Sequence, residues 1–148
     1  MLDHSLKFSA KQSMAASSAA VTQSTNVHSL GDGLYNMSSK YGGAEVANQL
    51  GGLVWNLNVS TAINAVTIIT AKLMVHSAAT SIASGTELAS IVLGAAAAAG
   101  TRRSLKLPAG FETGTTTPHI GVTYTVSGAK CTAGNINSFL SLEEEKHD

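Results

Sequence analysis

The chain has 148 residues, and nine Lys+Arg balance nine Asp+Glu for a formal net charge of zero. That argues against a sequence-independent nucleic-acid binder and a binder of anionic membranes, both of which need an excess of basic charge. The length is that of one ordinary domain. Charged residues are only 12%, and 22 alanines inflate the 44% hydrophobic share, so the core is lean and association is expected to supply part of the stability.

In chain order, Leu6 and Phe8 alternate with Ser5, Lys7 and Ser9, a short strand pattern. Residues 10–23 read as a low-complexity arm with little to bury except Met14 and Val21. Thr25–Leu30 is a short strand segment. Residues 31–52 form a long connection that carries Tyr35, Met37 and Tyr41, and long loops in small domains are commonly functional or flexible. Leu53–Ser60 sets Leu53, Trp55, Leu57 and Val59 on one face against Asn56, Asn58 and Ser60. Ala65–His76 is β-rich but changes parity, which predicts a bulge near Ile68 and Ile69. Arg102–Leu107 is a short strand. His119–Ser127 alternates most clearly, with Ile120, Val122, Tyr124 and Val126 opposite His119, Thr123, Thr125 and Ser127. In Ile136–Leu142, Ile136, Leu140 and Leu142 fall together while Phe139 falls on the other face. The runs Ala16–Ala20 and Ala95–Ala99 have helix propensity but no amphipathic stripe. Six to eight strands punctuated by Gly and Pro predict an all-β sandwich, barrel or jelly roll.

Chemistry-bearing residues are scattered. His4, His28, His76, His119 and His147 include no pair at metal-binding helical or strand spacing. Asp3 and Asp32 stand alone, and Glu143-Glu144-Glu145 reads as a solvated tail. No nucleophile elbow, phosphate loop or dinucleotide fingerprint is present. Cys131 is the single cysteine, which excludes an internal disulfide. It is expected to be inert. Arg102-Arg103 is the one basic doublet that could grip a carboxylate or phosphate. Trp55 reads as core rather than as a sugar-stacking platform. No catalytic residue, metal or cofactor is assigned, and the chain is expected not to be an enzyme. The longest apolar runs fall short of the roughly 18 residues of a bilayer span. The N-terminal residues carry Asp3 and Lys7 without an apolar run, so no export is expected and synthesis in the cytoplasm follows.

The opening Leu2-Asp3-His4-Ser5-Leu6-Lys7-Phe8-Ser9-Ala10-Lys11-Gln12 resembles that of the capsid cement (decoration) proteins of short-tailed phages, of the Bordetella-phage cement type. So do Ser24-Thr25-Asn26-Val27-His28-Ser29-Leu30-Gly31, the Tyr-Gly-Gly at Tyr41–Gly43, Ile120-Gly121-Val122-Thr123-Tyr124-Thr125-Val126-Ser127-Gly128, and Thr132-Ala133-Gly134. The resemblance runs over nearly the whole chain, and departs from the pattern at Ala95–Ala99 and the Glu-rich tail. It implies a single jelly-roll domain over residues 1–148, an antiparallel β-sandwich of about eight strands. It further implies a protein on the capsid exterior that pairs with itself and bridges neighbouring major capsid subunits; a dimer is the favoured state, with a trimer at a three-fold position as the alternative. Neither nucleic acid nor membrane is an expected partner. The expected contact residues are Leu6, Phe8, Tyr35, Met37 and Tyr41, on the N-terminal arm and the long loop. The N-terminal strand could equally serve as an edge that completes the sandwich. Two other classes fit an all-β, Thr-rich chain: a carbohydrate- or receptor-binding module of a virion and, more weakly, a small β-sandwich hydrolase relying on His119 or Asp32.

Overall fold

A computed structural model describes residues 7–17, 19–29, 53–63, 67–107 and 119–141. Among these the strands are β1 (Lys7–Ser13), β2 (Val21–Gln23), β3 (His28–Ser29), β4 (Val54–Thr61), β5 (Thr67–His76), β6 (Thr86–Leu93), β7 (Arg102–Lys106), β8 (His119–Gly128) and β9 (Asn135–Ser141). A 3-10 helix, Ala79–Ser84, separates β5 from β6. The strands form two antiparallel sheets, ordered β1-β9-β4-β7 and β2-β8-β5-β6. Strand β3 also pairs with β8, further along the edge that β2 occupies. Treating β2 and β3 as one interrupted strand gives eight positions with nested pairing. The first pairs the last, the second the seventh, the third the sixth, and the fourth the fifth.

The sheets face one another across a single core that contains Phe8, Trp55, Leu57, Ile69, Leu73, Val122, Tyr124, Ile136 and Leu140. The alternation of β4, β8 and β9 dictates this, because successive side chains of a strand point to opposite faces. Trp55, Leu57 and Val59 of one sheet therefore meet Ile120, Val122, Tyr124 and Val126 of the other. Trp55 is fully buried, as its alternating context predicts.

The N-terminal segment is built into the sandwich and is no free arm. Residues of β1 pair with β9 and those of β2 with β8. Between them Met14 is buried, its N–H donates to the Gly134 carbonyl, and Ala16 bridges Cys131. The register slips at Phe8, so Phe8 and Ser9, adjacent in sequence, are both fully buried. The alanines at 16–20 and 95–99 make no helix; Ala19 and Ala96 have positive φ, at 65° and 58°.

The bulge foreseen at Ile68–Ile69 is not there, since β5 pairs with β8 without a break from Thr67 to His76. The irregularity lies on the β6 side, where Leu73 pairs Ala89 but Met74 pairs Glu87, leaving Leu88 as the extra residue. The apparent parity change has another cause: Ile68 faces outward and is only half-buried, while Ile69, Leu73 and Val75 face the core. Met74 also faces outward and is nonetheless buried, at the end of the sheet that the 3-10 helix packs against. Gly121, beside Met74 in the register, permits this cover. A methyl group there would lie 3.1 Å from Val27 Cγ2 and 3.2 Å from Ile82 Cγ2.

Candidate interaction surface

Of the expected contact residues, Leu6, Tyr35, Met37 and Tyr41 lie outside the described residues. Phe8 is described and does not fit the role. Its side chain is fully buried, and its ring lies 5.2 Å from that of His28, tilted by 54°. The register slip that turns it inward commits it to the core of its own protomer. It serves as the edge strand's anchor.

The buried polar atoms in this region form a directed chain. Trp55 Nε1–H donates to Ser138 Oγ at 3.0 Å. Ser138 in turn hydrogen-bonds Tyr124. Tyr124 Oη and Ser9 Oγ are 2.8 Å apart, and Ser9 donates to Gln12 Oε1 at 2.6 Å. Since the Ser9 proton goes to Gln12, the Tyr124 hydroxyl is the donor to Ser9. Trp55, Ser138, Tyr124 and Ser9 are fully buried, and each hydroxyl both donates and accepts, so no lone buried donor remains to be satisfied. Burial pushes the Tyr124 phenol up to about 12, against the opposing effect of its serine partners. It stays neutral near pH 7 and functions as a cross-sheet tie rather than an acid–base group.

The remaining sequence candidates separate. Cys131 is buried, with its Sγ 3.1 Å from the Ala133 carbonyl. Arg102 and Arg103 are neighbours on β7, where Arg102 pairs with Asn58 and Arg103 with Leu57. Adjacent strand residues point to opposite faces, so the doublet cannot present two cations on one face. The fold does unite two histidines that sequence spacing could not connect, since His76 and His119 are direct cross-strand partners. However, His76 Nδ1 accepts the Ala78 N–H at 2.9 Å. The neutral ring therefore carries its proton on Nε2 and offers no lone pair there for a metal.

What sequence reasoning missed is on the outer face of the second sheet. Val21 pairs Thr125, Thr125 pairs Thr70, and Thr70 pairs Val92. The inward neighbours Tyr124, Val126, Ile69, Ala71, Ile91 and Leu93 are all buried, so the four paired residues form one outward row across the sheet. Val21 and Val92, at its two ends, are 53% and 55% exposed and are the exposed large hydrophobics among the described residues. The next row is Gln23, Thr123, Lys72 and Ser90. Lys72 Nζ meets Glu87 Oε2 at 2.9 Å, so its charge is neutralised within the protomer. Gln23 Nε2 donates to the Ala79 carbonyl at 3.0 Å, tying down the 3-10 helix that covers the far end of the same face. Among the described residues, one end of this sheet face is thus roofed, while the other is β-branched and uncharged, with Val21 and Val92 exposed and Thr125 and Thr70 half-buried. A signal existed in Ile91-Val92-Leu93, because three consecutive apolar residues in a strand must send one outward.

No protein-family model matches the sequence, and no curated protein does.

Proposed function

We propose that this chain is a structural virion protein that binds the outside of a phage capsid and cements neighbouring major capsid subunits. The observation that carries the reading is the bare row Val21–Thr125–Thr70–Val92. The sandwich closes its core without these side chains, and a flat, uncharged, β-branched strip suits another protein surface. The two antiparallel sheets with their nested strand pairing add support, because the resemblance to phage cement proteins implies a double-sheet jelly roll. Leu6, Tyr35, Met37 and Tyr41 remain the proposed capsid anchors, and Phe8 leaves that set. Trp55 and Tyr124, both buried, are not available to stack on a sugar, which weighs against the carbohydrate-binding alternative.

The mechanism is mechanical. A pressurised shell fails at the seams between subunits, and a protein bound across a seam adds binding free energy that must be lost before the seam opens. Two protomers joined to each other and each holding one capsid subunit make a bivalent clamp. The second contact then forms at high effective concentration, so modest affinities suffice. The test is co-sedimentation of the recombinant protein with expanded capsids of its parent phage that lack it. Saturable binding in a fixed, symmetry-compatible ratio to the coat protein is expected. No binding to intact shells overturns the reading, and a glycan-array signal in that case moves the receptor-binding alternative forward.

A further inference from the structure

We propose that the acidic segment 142–148 of this chain docks on the outer face of the β1-β9-β4-β7 sheet and serves there as the counter-charge of a cationic surface. The zero net charge of the whole chain conceals a segregation. The described residues hold seven Lys and Arg but a single carboxylate, Glu87, a net of +6 with the histidines neutral. Glu87 already pairs with Lys72, in the other sheet. The remaining residues hold two lysines against eight acids, a net of −6, with three carboxylates consecutive at Glu143-Glu144-Glu145. The fold then gathers cations that stand far apart in sequence. Trp55 and Leu57 face the core, so Val54, Asn56 and Asn58 face outward. Lys106 pairs Val54, Arg102 pairs Asn58, and Lys7 pairs Phe139, which itself pairs Asn56. Lys106 and Arg102 therefore line one edge of this outer face and Lys7 the other. Among the described residues, no carboxylate shares the face with them.

The segment starts where these cations are. Strand β9 ends at Ser141, which pairs with Val54, the partner of Lys106. Strand β1, with Lys7, flanks β9 on its other side, so the chain leaves the sheet between two lysines. Lys106 is two strand spacings from Ser141, about 10 Å. Glu143 to Glu145 follow Ser141 by two to four residues, an extended reach of about 7 to about 14 Å. Single surface ion pairs contribute little, but several charges meeting as a network contribute more. The centre of the face, moreover, is sheltered. Val54, Asn56 and Phe139 point outward and are all buried, and Val54 and Phe139 lie outside the core cluster. The second sheet is on the opposite side, and the 3-10 helix packs on that second sheet, so neither one roofs them. Leu142, the one apolar residue of the segment, suits the apolar Val54 and Phe139 as the glutamates suit the cations.

The test needs no capsid, and its failure would leave the cement reading untouched. The full wild-type chain is treated with a water-soluble carbodiimide, which joins a carboxylate to an amine where the two touch, and links within the monomer are mapped by mass spectrometry. The Lys72–Glu87 pair, at 2.9 Å, supplies the internal control. Links from Glu143, Glu144 or Glu145 to Lys106 or Lys7 are expected. They should fall at least about fivefold in 1 M salt, where the screening length is about 3 Å. Links from these glutamates only to Lys72 or Lys130, or none while the control link forms, overturn the proposal. Links to Lys106 and Lys7 from Asp3, Glu45 or Glu112 alone give the face to another segment and overturn it too. Heparin retention is the second measurement. The triple variant E143Q/E144Q/E145Q should elute at higher salt than the wild type, because the cationic face is uncovered. Adding Arg102→Gln and Lys106→Gln should abolish that gain. Adding Arg103→Gln and Lys130→Gln instead removes the same charge away from the face and should leave most of it. A triple variant that elutes with the wild type, or equal losses from the two pairs, overturns the proposal.

Discussion

At the scale of single residues, the buried hydrogen-bond chain through Tyr124 is the most demanding feature of the core. Tyr124→Phe removes the one group that links Ser138 in the first sheet to Ser9 at its edge. Two hydroxyls then lose a buried partner, and the expected cost is about 1–3 kcal/mol in denaturant unfolding, followed by the single Trp55 fluorophore. His28 adds a pH dependence whose sign is fixed. Desolvation lowers its pKa below 6.5, outweighing the hydrogen bond with the Lys7 carbonyl at 3.0 Å. The native state thus resists the proton more than the unfolded chain does. The contribution is present above pH 6.5 and is lost as pH falls through the lower native value. Thermal midpoints measured between pH 7.5 and pH 5 should therefore fall more for the wild type than for His28→Gln, and equal slopes would remove His28 from the account.

At the scale of elements, the N-terminal strand and the 3-10 helix each close one part of the sandwich. Strand β1 brings Phe8 and Ser9 into the core and carries Gln12 near its end, whose Oε1 also accepts the Thr25 N–H at 3.0 Å while its Nε2 donates to the Gln23 carbonyl at 2.8 Å. One side chain thus ties β1 to the segment after β2. Deleting residues 1–12 removes a buried phenylalanine together with these ties. The loss of the ring alone is worth about 3–5 kcal/mol, so such a truncation should lose β-structure by circular dichroism rather than report on capsid binding. The 3-10 helix depends on Gly121 in a different way. Gly121→Val would push its branched side chain into Ile82 and Val27, with an expected cost of about 1–3 kcal/mol. Faster amide exchange over residues 79–84 would locate the damage in the displaced roof.

At the scale of the whole molecule, a lean core and a bare face belong to one design. The sandwich satisfies itself across two sheets, with Trp55, Tyr124 and Phe8 as its largest ring side chains. It then leaves two valines in solvent at the far edges of one sheet. In a monomer they gain nothing from that position; on contact with a partner each valine buries apolar surface worth on the order of 1 kcal/mol. On the proposed capsid-cementing reading, modest terms multiplied over many seams of a shell suffice, because the clamp must only raise the free energy of opening. A stripped capsid re-saturated with the protein should accordingly survive higher temperature than the bare shell, with Val92→Glu recovering less of the gain than the wild type. Light scattering during a thermal ramp gives that comparison directly.

The amino-acid sequence by itself determined the class of fold and the inward faces of β4, β8 and β9. A period of two is a local property of the strand, and Trp55, Leu57, Val122 and Tyr124 announce it without help from the rest of the chain. It also placed Trp55 in the core and kept the alanine runs out of helices. Only the tertiary structure decided what depends on which strands are neighbours. Residues 10–23 look like spare text because β1 and β2 are short and polar, and their partners β9 and β8 lie more than a hundred residues away. Phe8 looks like a free anchor until the register slip against β9 turns it inward. The meeting of His76 with His119, the parting of Arg102 from Arg103, and the alignment of Val21 with Val92 are facts of register. Register is set by the joint packing of both sheets around one core, and no single segment contains that information.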